Sequence, residues 1–212
     1  MTEDRINRFR NVVRQRQSNL TVILENVHDH HNIGAVLRTC DSVGIKEVFV
    51  LYTEPQLDQE HLTLGARASS GARKWIDVNF YTKHQPCFEH VRKNYDLIFA
   101  THLDQDAKSL YDLDLTKSVA LLFGNEHDGV SQEALKYCDG NFIIPQAGMV
   151  QSLNISVACA VSIYEAKRQR IKKGYYDTNP TLSPEEQESL FKNYARRHEL
   201  KIKNKTVKRL NK

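Results

Sequence analysis

The chain has 212 residues and a mass of 24.5 kDa, with 40% hydrophobic residues and a formal net charge of +4. This composition supports one sizeable core, so we expect one domain with terminal extensions. No stretch approaches the length of a membrane span, and the first residues lack the pattern of a secretory signal, which makes the cytoplasm the expected compartment.

The first predicted element is a basic helix. Residues 6–17 are compatible with a helix whose apolar face carries Ile6, Phe9 and Val13, with arginines spread over the remainder. A first strand is predicted over residues 20–24, which are rich in β-branched side chains.

A polar loop with three histidines beside Asp29 follows this strand. The cluster lacks the fixed spacing that preorganises metal ligands, so a loop between a strand and a helix explains it better, and we expect no metal. A helix over residues 32–44, ended by Gly44, and a strand over residues 47–52 come next. A strand, a helix and a strand over so short a span indicate a parallel α/β unit.

The α/β pattern continues beyond residue 52. The basic run 68–74 is either a phosphate-contacting loop or an ordinary surface connection, and the sequence favours neither. The remaining predicted elements are strands over residues 95–102, 118–124 and 141–144 and helices over residues 86–94, 132–138 and 155–170. Ser131 is the expected N-cap of the helix that begins at residue 132.

The cysteines predict no cross-link or metal site. They are far apart in sequence and form no CxxC pair. Reduced, mostly buried thiols are therefore expected at Cys40, Cys87, Cys138 and Cys159.

Charge is distributed unevenly along the chain. Residues 1–16 carry +3 and residues 192–212 carry +8, which leaves −7 for the part between them. A mildly acidic body with basic ends favours a polyanion partner, and a solvated tail that only aids solubility is the equal alternative. We divide the chain into a basic helical arm (1–19), a core (20–173) and a C-terminal extension with a basic tail (174–212).

Polar clusters follow three of the predicted strands. In an open α/β sheet the carboxyl ends of the strands are where ligands bind. The clusters are Asn32 with Arg38, Gly124 with Glu126 and Gly129, and Gly148 with Ser152 and Asn154. Their glycines match neither the dinucleotide-binding nor the P-loop pattern, and a plain helix cap is the simpler interpretation of Ser152 and Asn154 alone. The residues by themselves indicate an α/β ligand-binding protein with polyanion-binding ends.

These three clusters resemble the motifs of the SpoU (TrmH) branch of the SPOUT methyltransferases. Residues 32–38 resemble the first motif, residues 122–131 the second and residues 144–158 the third, in the right order and spacing. Gln146 is a departure, because the family often has methionine after the proline.

The segments around the motifs narrow the resemblance, which covers residues 20–173. The basic ends, residues 100–103 and residues 164–170 are most similar to the tRNA (guanosine-18) 2′-O-methyltransferases. The lysine-rich tail after residue 192 does not take part in the resemblance.

The resemblance implies a fold and a cofactor. The fold is α/β, with a mostly parallel sheet, helices on both faces and a deep C-terminal trefoil knot. The cofactor is S-adenosyl-L-methionine, held largely through backbone groups. The residues implied to bind it are Thr101, Phe123, Gly124, Ile144, Gln146 and Leu153.

The resemblance also implies a catalytic set for transfer of a methyl group to a ribose 2′-hydroxyl. The set consists of Arg38, Asn32, Glu126, Ser152 and Asn154. A guanidinium stays protonated at physiological pH, so we expect Arg38 to orient a phosphate and lower the pKa of the hydroxyl rather than act as a base. Contacts to RNA are expected from Arg8, Arg14, Arg16, Lys74 and Arg168.

The expected partners are tRNA and a second copy of the chain in a homodimer. Two alternatives remain open at this point. One is a ribosomal-RNA ribose methyltransferase of the same branch, and the other is an RNA-binding protein without turnover. The presence of all five catalytic residues argues against the second alternative.

Overall fold

The structure is a computed structural model that describes residues 1–57, 69, 71–199 and 207–209. The described helices are α1 (Glu3–Arg14), α2 (His30–Ser42), α3 (His84–Asn94), α4 (Gln132–Leu135), α5 (Ile155–Lys172) and α6 (Pro184–Glu199). Short 3₁₀ turns cover Ala72–Lys74 and Leu110–Asp112.

One sheet contains all the described strands, and every neighbouring pair in it is parallel. The strands are β1 (Leu20–Glu25), β2 (Glu47–Leu51), β3 (Asp77–Tyr81), β4 (Leu97–Thr101), β5 (Lys108–Ser109), β6 (Val119–Phe123), β7 (Gly140–Ile143) and β8 (Val207–Arg209). Their order is β5-β7-β4-β6-β1-β2-β3-β8. The central strands β1 and β6 are buried along their whole length, as expected for a parallel sheet covered on both faces.

Helices cover both faces of this sheet. One core cluster joins α2 and α5 to one face, through Val36, Leu37 and Ile163 among others. The other cluster joins α3 and α4 to the opposite face, through Phe88 and Ala134. The predicted parallel α/β architecture is therefore confirmed, while the trefoil knot stays a prediction.

Three strands were not predicted, β3 and the two short strands at the edges of the sheet. The strand β5 has two residues and β8 has three, so neither is long enough to show a two-residue alternation in the sequence. No secondary structure was assigned to the basic tail, residues 192–212. Its first part, up to Glu199, belongs to α6, residues 207–209 form β8, and the remainder lies outside the described residues.

A smaller apolar cluster joins the two ends of the chain. Phe9 and Val13 of α1 pack against Tyr194 of α6, with Trp75 at the edge. The face predicted for the N-terminal helix is therefore the one that packs, and the terminal helices stabilise each other.

Arg16 was predicted to contact RNA, but the structure places its side chain in the interior. Its side chain is only 1% exposed, and it donates hydrogen bonds to Asp41 Oδ1 (2.5 Å) and to the Ile45 carbonyl oxygen (3.0 Å). The guanidinium therefore holds the end of α1 to the end of α2 and is not presented to a phosphate. Sequence alone could not show this, because Arg16 and Asp41 meet only when the two helices pack.

Arg170 fixes the end of α5 in a similar way. It is fully buried and donates hydrogen bonds to Asn19 Oδ1 (2.5 Å), the Lys117 carbonyl oxygen (2.7 Å) and the Leu115 carbonyl oxygen (2.9 Å). Burial lowers the pKa of its guanidinium to about 10, which still leaves it charged at neutral pH. One side chain thus ties α5 to the segments that precede β1 and β6.

The four cysteines are free thiols, and Cys40, Cys87 and Cys159 are buried. This agrees with the expectation of reduced, mostly buried thiols. None of the described helices is both long and apolar enough to cross a membrane.

Candidate active site at the carboxyl ends of the strands

Side chains from the three polar clusters meet in a hydrogen-bonded chain. Asn32, in the first turn of α2, donates from Nδ2 to Glu126 Oε1 (2.6 Å). Asn154, which precedes α5, donates from Nδ2 to Asn32 Oδ1 (3.1 Å). Residues separated by 94 and 122 positions in sequence thus form one polar centre where β1 and β6 end.

The histidine-rich loop positions Asn32. Asp29 is the N-cap of α2, and its carboxylate accepts a hydrogen bond from the His31 amide (2.8 Å). Asp29, His30 and His31 bring potential ligand atoms within 4.8 Å of one another. Capping already explains the placement of Asp29, and the expected absence of a metal stays a prediction.

A tight turn after β6 presents Glu126 to solvent. The side chain of Asn125 accepts hydrogen bonds from the amides of His127 (2.8 Å) and Asp128 (2.6 Å), and Gly129 closes the turn with a φ of +69°. The turn ends at Ser131, whose hydroxyl caps α4 by accepting from the Ala134 amide (3.1 Å), as predicted.

Glu25 is a buried carboxylate that holds the end of this turn, and its role was not predicted from the sequence. Its side chain is 1% exposed at the end of β1. The carboxylate accepts from the Ser131 hydroxyl (2.6 Å) and the Ser131 amide (2.9 Å), and His84 Nε2 lies 3.0 Å from it. A carboxylate at the end of an otherwise apolar strand was the available signal, because such a charge must find partners when buried.

Asn154 both caps α5 and belongs to the polar centre. Its Oδ1 accepts from the Ser156 amide (2.9 Å), so we expect Asn154→Ala to lower the free energy of unfolding by about 1 kcal/mol. Chemical denaturation measures this loss. Asn154→Asp is the matched control, since it keeps the capping oxygen and lacks the amide that reaches Asn32. Equal stability of Asn154→Ala and the unmodified chain would contradict the capping role.

The residues implied to bind a cofactor lie at the ends of three neighbouring strands, β7, β4 and β6. Thr101 ends β4 and donates to the Leu122 carbonyl oxygen (3.2 Å), while Ile144 directly follows β7 and accepts from Gln146 Nε2 (3.1 Å). Phe123 ends β6 with its side chain buried, so only its backbone is available to a ligand.

The other members of this set share the same edge of the sheet. Gly124 follows β6, and Leu153 is half-buried just before α5. Residues 144–154 belong to no helix or strand. Their backbone donors and acceptors are therefore not committed to a ladder, which suits a ligand held largely by backbone groups.

Arg38 lies beyond the hydrogen-bonded chain on the same helix. Six residues past Asn32 corresponds to an axial rise of about 9 Å. Its exposed side chain lines a cavity of about 360 Å³ together with Asp41, Lys74 and Trp75. Ser152 is exposed two residues before Asn154.

The other arginines and the lysine expected to contact RNA lie at the surface. Arg8 and Lys74 are exposed, and Arg14 pairs with Asp177 (3.0 Å). Arg168 forms two hydrogen bonds of 2.7 Å to Glu165, and this guanidinium lowers the pKa of the Glu165 carboxyl.

Comparison with known proteins identifies the family. The sequence model of the SpoU rRNA methylase family matches residues 19–164. The chain belongs to the SpoU methylase family. Its predicted membership of the SpoU branch is thereby confirmed.

Individual relatives of this SpoU-family chain cover nearly its whole length. A Thermus thermophilus protein named tRNA (guanosine(18)-2′-O)-methyltransferase is 42% identical over 196 residues, which are 92% of this chain and 98% of the relative. The crystal structure of a TrmH/SpoU tRNA modifying enzyme from Aquifex aeolicus matches with a TM-score of 0.81 and 35% identity, covering 95% of this chain and 98% of that one.

A third similar protein has a crystal structure with AdoMet bound. It is an AdoMet-bound rRNA methyltransferase from Sinorhizobium meliloti, with a TM-score of 0.62 and 27% identity. The match covers 74% of the SpoU-family chain described here and 59% of the Sinorhizobium chain.

Proposed function

We propose that this chain is an S-adenosylmethionine-dependent RNA ribose 2′-O-methyltransferase whose substrate is guanosine 18 of tRNA. Membership of the SpoU methylase family and the name of the Thermus relative support the activity and the substrate. The observation that carries the proposal within this chain is the hydrogen-bonded centre of Asn32, Glu126 and Asn154, which joins all three motif segments.

The cofactor supplies an activated methyl group when it is bound. We assign its binding to the backbone and side chains at the ends of β4, β6 and β7. The residues of this assignment are Thr101, Phe123, Gly124, Ile144, Gln146 and Leu153. Residues 144–154 belong to no helix or strand, which suits a ligand held by backbone groups, and the AdoMet-bound Sinorhizobium structure supports the choice of cofactor.

The chain's own residues have to orient the ribose and help its hydroxyl lose a proton. A ribose hydroxyl is a poor nucleophile, so close positioning and a proton acceptor are both needed. The Arg38 guanidinium carries a fixed positive charge, which orients an RNA phosphate and favours the ionised form of the neighbouring hydroxyl. Through their hydrogen bonds, Asn32, Glu126 and Asn154 hold the three motif segments together. We assign a phosphate contact to Ser152, which is exposed two residues before Asn154.

The deciding experiment is transfer of labelled methyl from S-adenosylmethionine to unmodified tRNA and rRNA transcripts, followed by mapping of the modified nucleotide. We expect label on the 2′-oxygen of guanosine 18 in the D-loop. Label on rRNA alone would support ribose methylation but show that the substrate is ribosomal RNA and not tRNA. Tight RNA binding with no transfer would leave only the binding function.

A ribosomal-RNA substrate is the second candidate, and chain coverage favours tRNA over it. The Sinorhizobium rRNA methyltransferase is matched over only 59% of its length, so it contains a large part without counterpart here. The Thermus tRNA enzyme is matched over 98% of its length.

An exposed apolar stripe on α5 supports a homodimer. Val157, Tyr164 and Ile171 are 46%, 48% and 55% exposed and recur every seven residues, which places them on one face of the helix. Exposed apolar side chains on one helical face are typical of protein interfaces. We therefore assign the subunit contact to this face of α5.

We expect the double variant Val157→Glu/Ile171→Glu to be monomeric at a micromolar concentration at which the unmodified chain is dimeric. Two buried carboxylates in an apolar contact would each need to be desolvated without a partner. Light scattering after size-exclusion chromatography measures the mass. Leu103→Glu, at another exposed apolar residue outside α5, is the control and should remain dimeric. A dimeric double variant would place the contact elsewhere.

RNA contacts by Arg8, Arg14, Lys74 and Arg168 remain part of the proposal, and Arg16 is withdrawn from it. The cytoplasmic location also remains a prediction, which cell fractionation would test.

A further inference from the structure

The cavity beside Arg38 has positive charges contributed by three separate elements. Arg5 comes from α1, Arg38 from α2 and Lys74 from the 3₁₀ turn that precedes β3. The volume is about 360 Å³, and small residues at positions 69, 71 and 72 leave the space open. The middle part of the chain is mildly acidic, so three basic side chains around one cavity are a local concentration of positive charge.

Asp41 also lines this cavity, and its charge is already compensated. Its carboxylate accepts a hydrogen bond from the buried guanidinium of Arg16 at 2.5 Å. The charges of Arg5 and Lys74 are therefore not cancelled by Asp41, and the cavity favours an anion.

Arg5 has remaining hydrogen-bonding capacity. One of its terminal nitrogens lies 3.4 Å from His198 Nδ1, and its guanidinium lies 5.4 Å from the centre of the Phe9 ring. Its Nε is buried and makes no hydrogen bond within the described part of the chain. An anion in the cavity would supply an acceptor to this guanidinium.

Trp75 forms an aromatic wall of the same cavity. It is half-buried and is the one tryptophan of the sequence. Phe9 and Tyr194 meet it edge to face, each with a ring-centre distance of 5.3 Å, so the indole is held in place from two sides. Cations beside an aromatic side chain are the arrangement by which proteins hold single-stranded nucleic acid, with phosphate on the cations and a base or ribose on the ring.

We propose that this cavity is an RNA subsite, in which Arg5 and Lys74 bind the phosphate of a nucleotide next to the methylated one and Trp75 contacts its sugar or base. The proposal rests on the proposed function, because Arg38 lines the cavity and also belongs to the catalytic set. This shared residue is the reason for assigning a neighbouring nucleotide as the occupant. The volume falls in the range of about 300–1,000 Å³ that is usual for ligand pockets.

Salt dependence of binding tests the phosphate contacts. The full chain is titrated with unmodified tRNA transcript at a series of salt concentrations, as the unmodified protein and as Arg5→Gln and Lys74→Gln. Each variant should make the slope of log K against log salt shallower by about one. Lys93→Gln removes an exposed lysine on the opposite face of the sheet and should leave the slope unchanged. Unchanged slopes in both cavity variants, with their thermal unfolding intact, would overturn the proposal.

Fluorescence of Trp75 gives a second, independent readout. Because no other tryptophan is present, quenching by acrylamide reports on this cavity alone. We expect saturating tRNA to shield Trp75 from the quencher. Equal quenching with and without bound RNA would contradict occupation of the cavity.

The two proposals fail in different ways. Methyl transfer to tRNA with unchanged salt slopes would keep the proposed function and remove the subsite. If the salt slopes of the cavity variants are shallower and Trp75 is shielded, but no methyl is transferred, the RNA subsite is supported and the enzymatic function is refuted.

Discussion

Arg38→Ala is expected to lose nearly all methyl transfer to tRNA, with a fall in kcat of about 10²–10³-fold or more. The reason is that the variant removes the fixed positive charge that orients the RNA phosphate and favours ionisation of the ribose hydroxyl. The Arg38 side chain is exposed on α2, and thermal unfolding of the variant checks that its fold is intact. Single-turnover methyl transfer measures the chemical step separately from product release.

Two controls separate this role from damage to the cofactor site. Equilibrium dialysis with labelled S-adenosylmethionine should give the same affinity for Arg38→Ala as for the unmodified chain. Arg38→Lys keeps the charge and loses the planar fork, so its kcat should lie between the two. Unchanged turnover in Arg38→Ala would refute the assignment.

Gly124→Ala is expected to destabilise the fold by about 3 kcal/mol or more. A Cβ at this position would lie 2.0 Å from the backbone carbonyl carbon and oxygen of Gly129 and 2.3 Å from the Val130 amide nitrogen. All three are backbone atoms at the C-terminal end of the turn that carries Glu126, so no flexible side chain can move aside. Either the turn separates from β6, or the chain fails to fold.

Urea denaturation measures the stability of this variant, and Gly148→Ala is its matched control. At Gly148 an added Cβ meets nothing within 4 Å, and the backbone is not in the left-handed region. The same substitution should therefore leave the unfolding midpoint almost unchanged. Equal midpoints for Gly124→Ala and Gly148→Ala would show that the close approach at Gly124 is not required.

If Gly124→Ala folds, its activity reports on the polar centre. Displacement of the turn would break the hydrogen bond between Glu126 and Asn32, which joins two of the three motifs. Methyl transfer should then fall together with stability, although no polar side chain has been changed.

Several elements could be predicted from local patterns. The apolar runs that became β1, β2, β4, β6 and β7 are interior strands, and their β-branched content and flanking polar loops mark them before any tertiary contact is known. Ser131 was recognised as a helix cap, and of the two residues considered as a cap before α5, Ser152 and Asn154, the structure shows Asn154 in that role. Capping could be predicted because it depends on residues only a few positions away. Alternation of strands and helices then implied a parallel sheet, and with it the edge at which the polar clusters gather.

The predicted helix ends were less accurate than the helices themselves. The helix expected over residues 132–138 ends at Leu135, and the one expected to start near Asn32 already starts at His30, because Asp29 caps it. These shifts follow from single hydrogen bonds at the ends, which a periodic pattern does not resolve.

Local sequence patterns were enough to predict the α/β class, the five interior strands β1, β2, β4, β6 and β7, and the three motifs through which the family is recognised, since each depends on residues that are near one another in the chain. Which charged side chains are buried could be seen only from the packing of the helices and strands. Arg16 was expected at the surface and is buried against Asp41, while Glu25 holds Ser131 across 106 positions. Such pairings depend on how helices and strands pack in space, and a buried charge looks the same in the sequence as an exposed one.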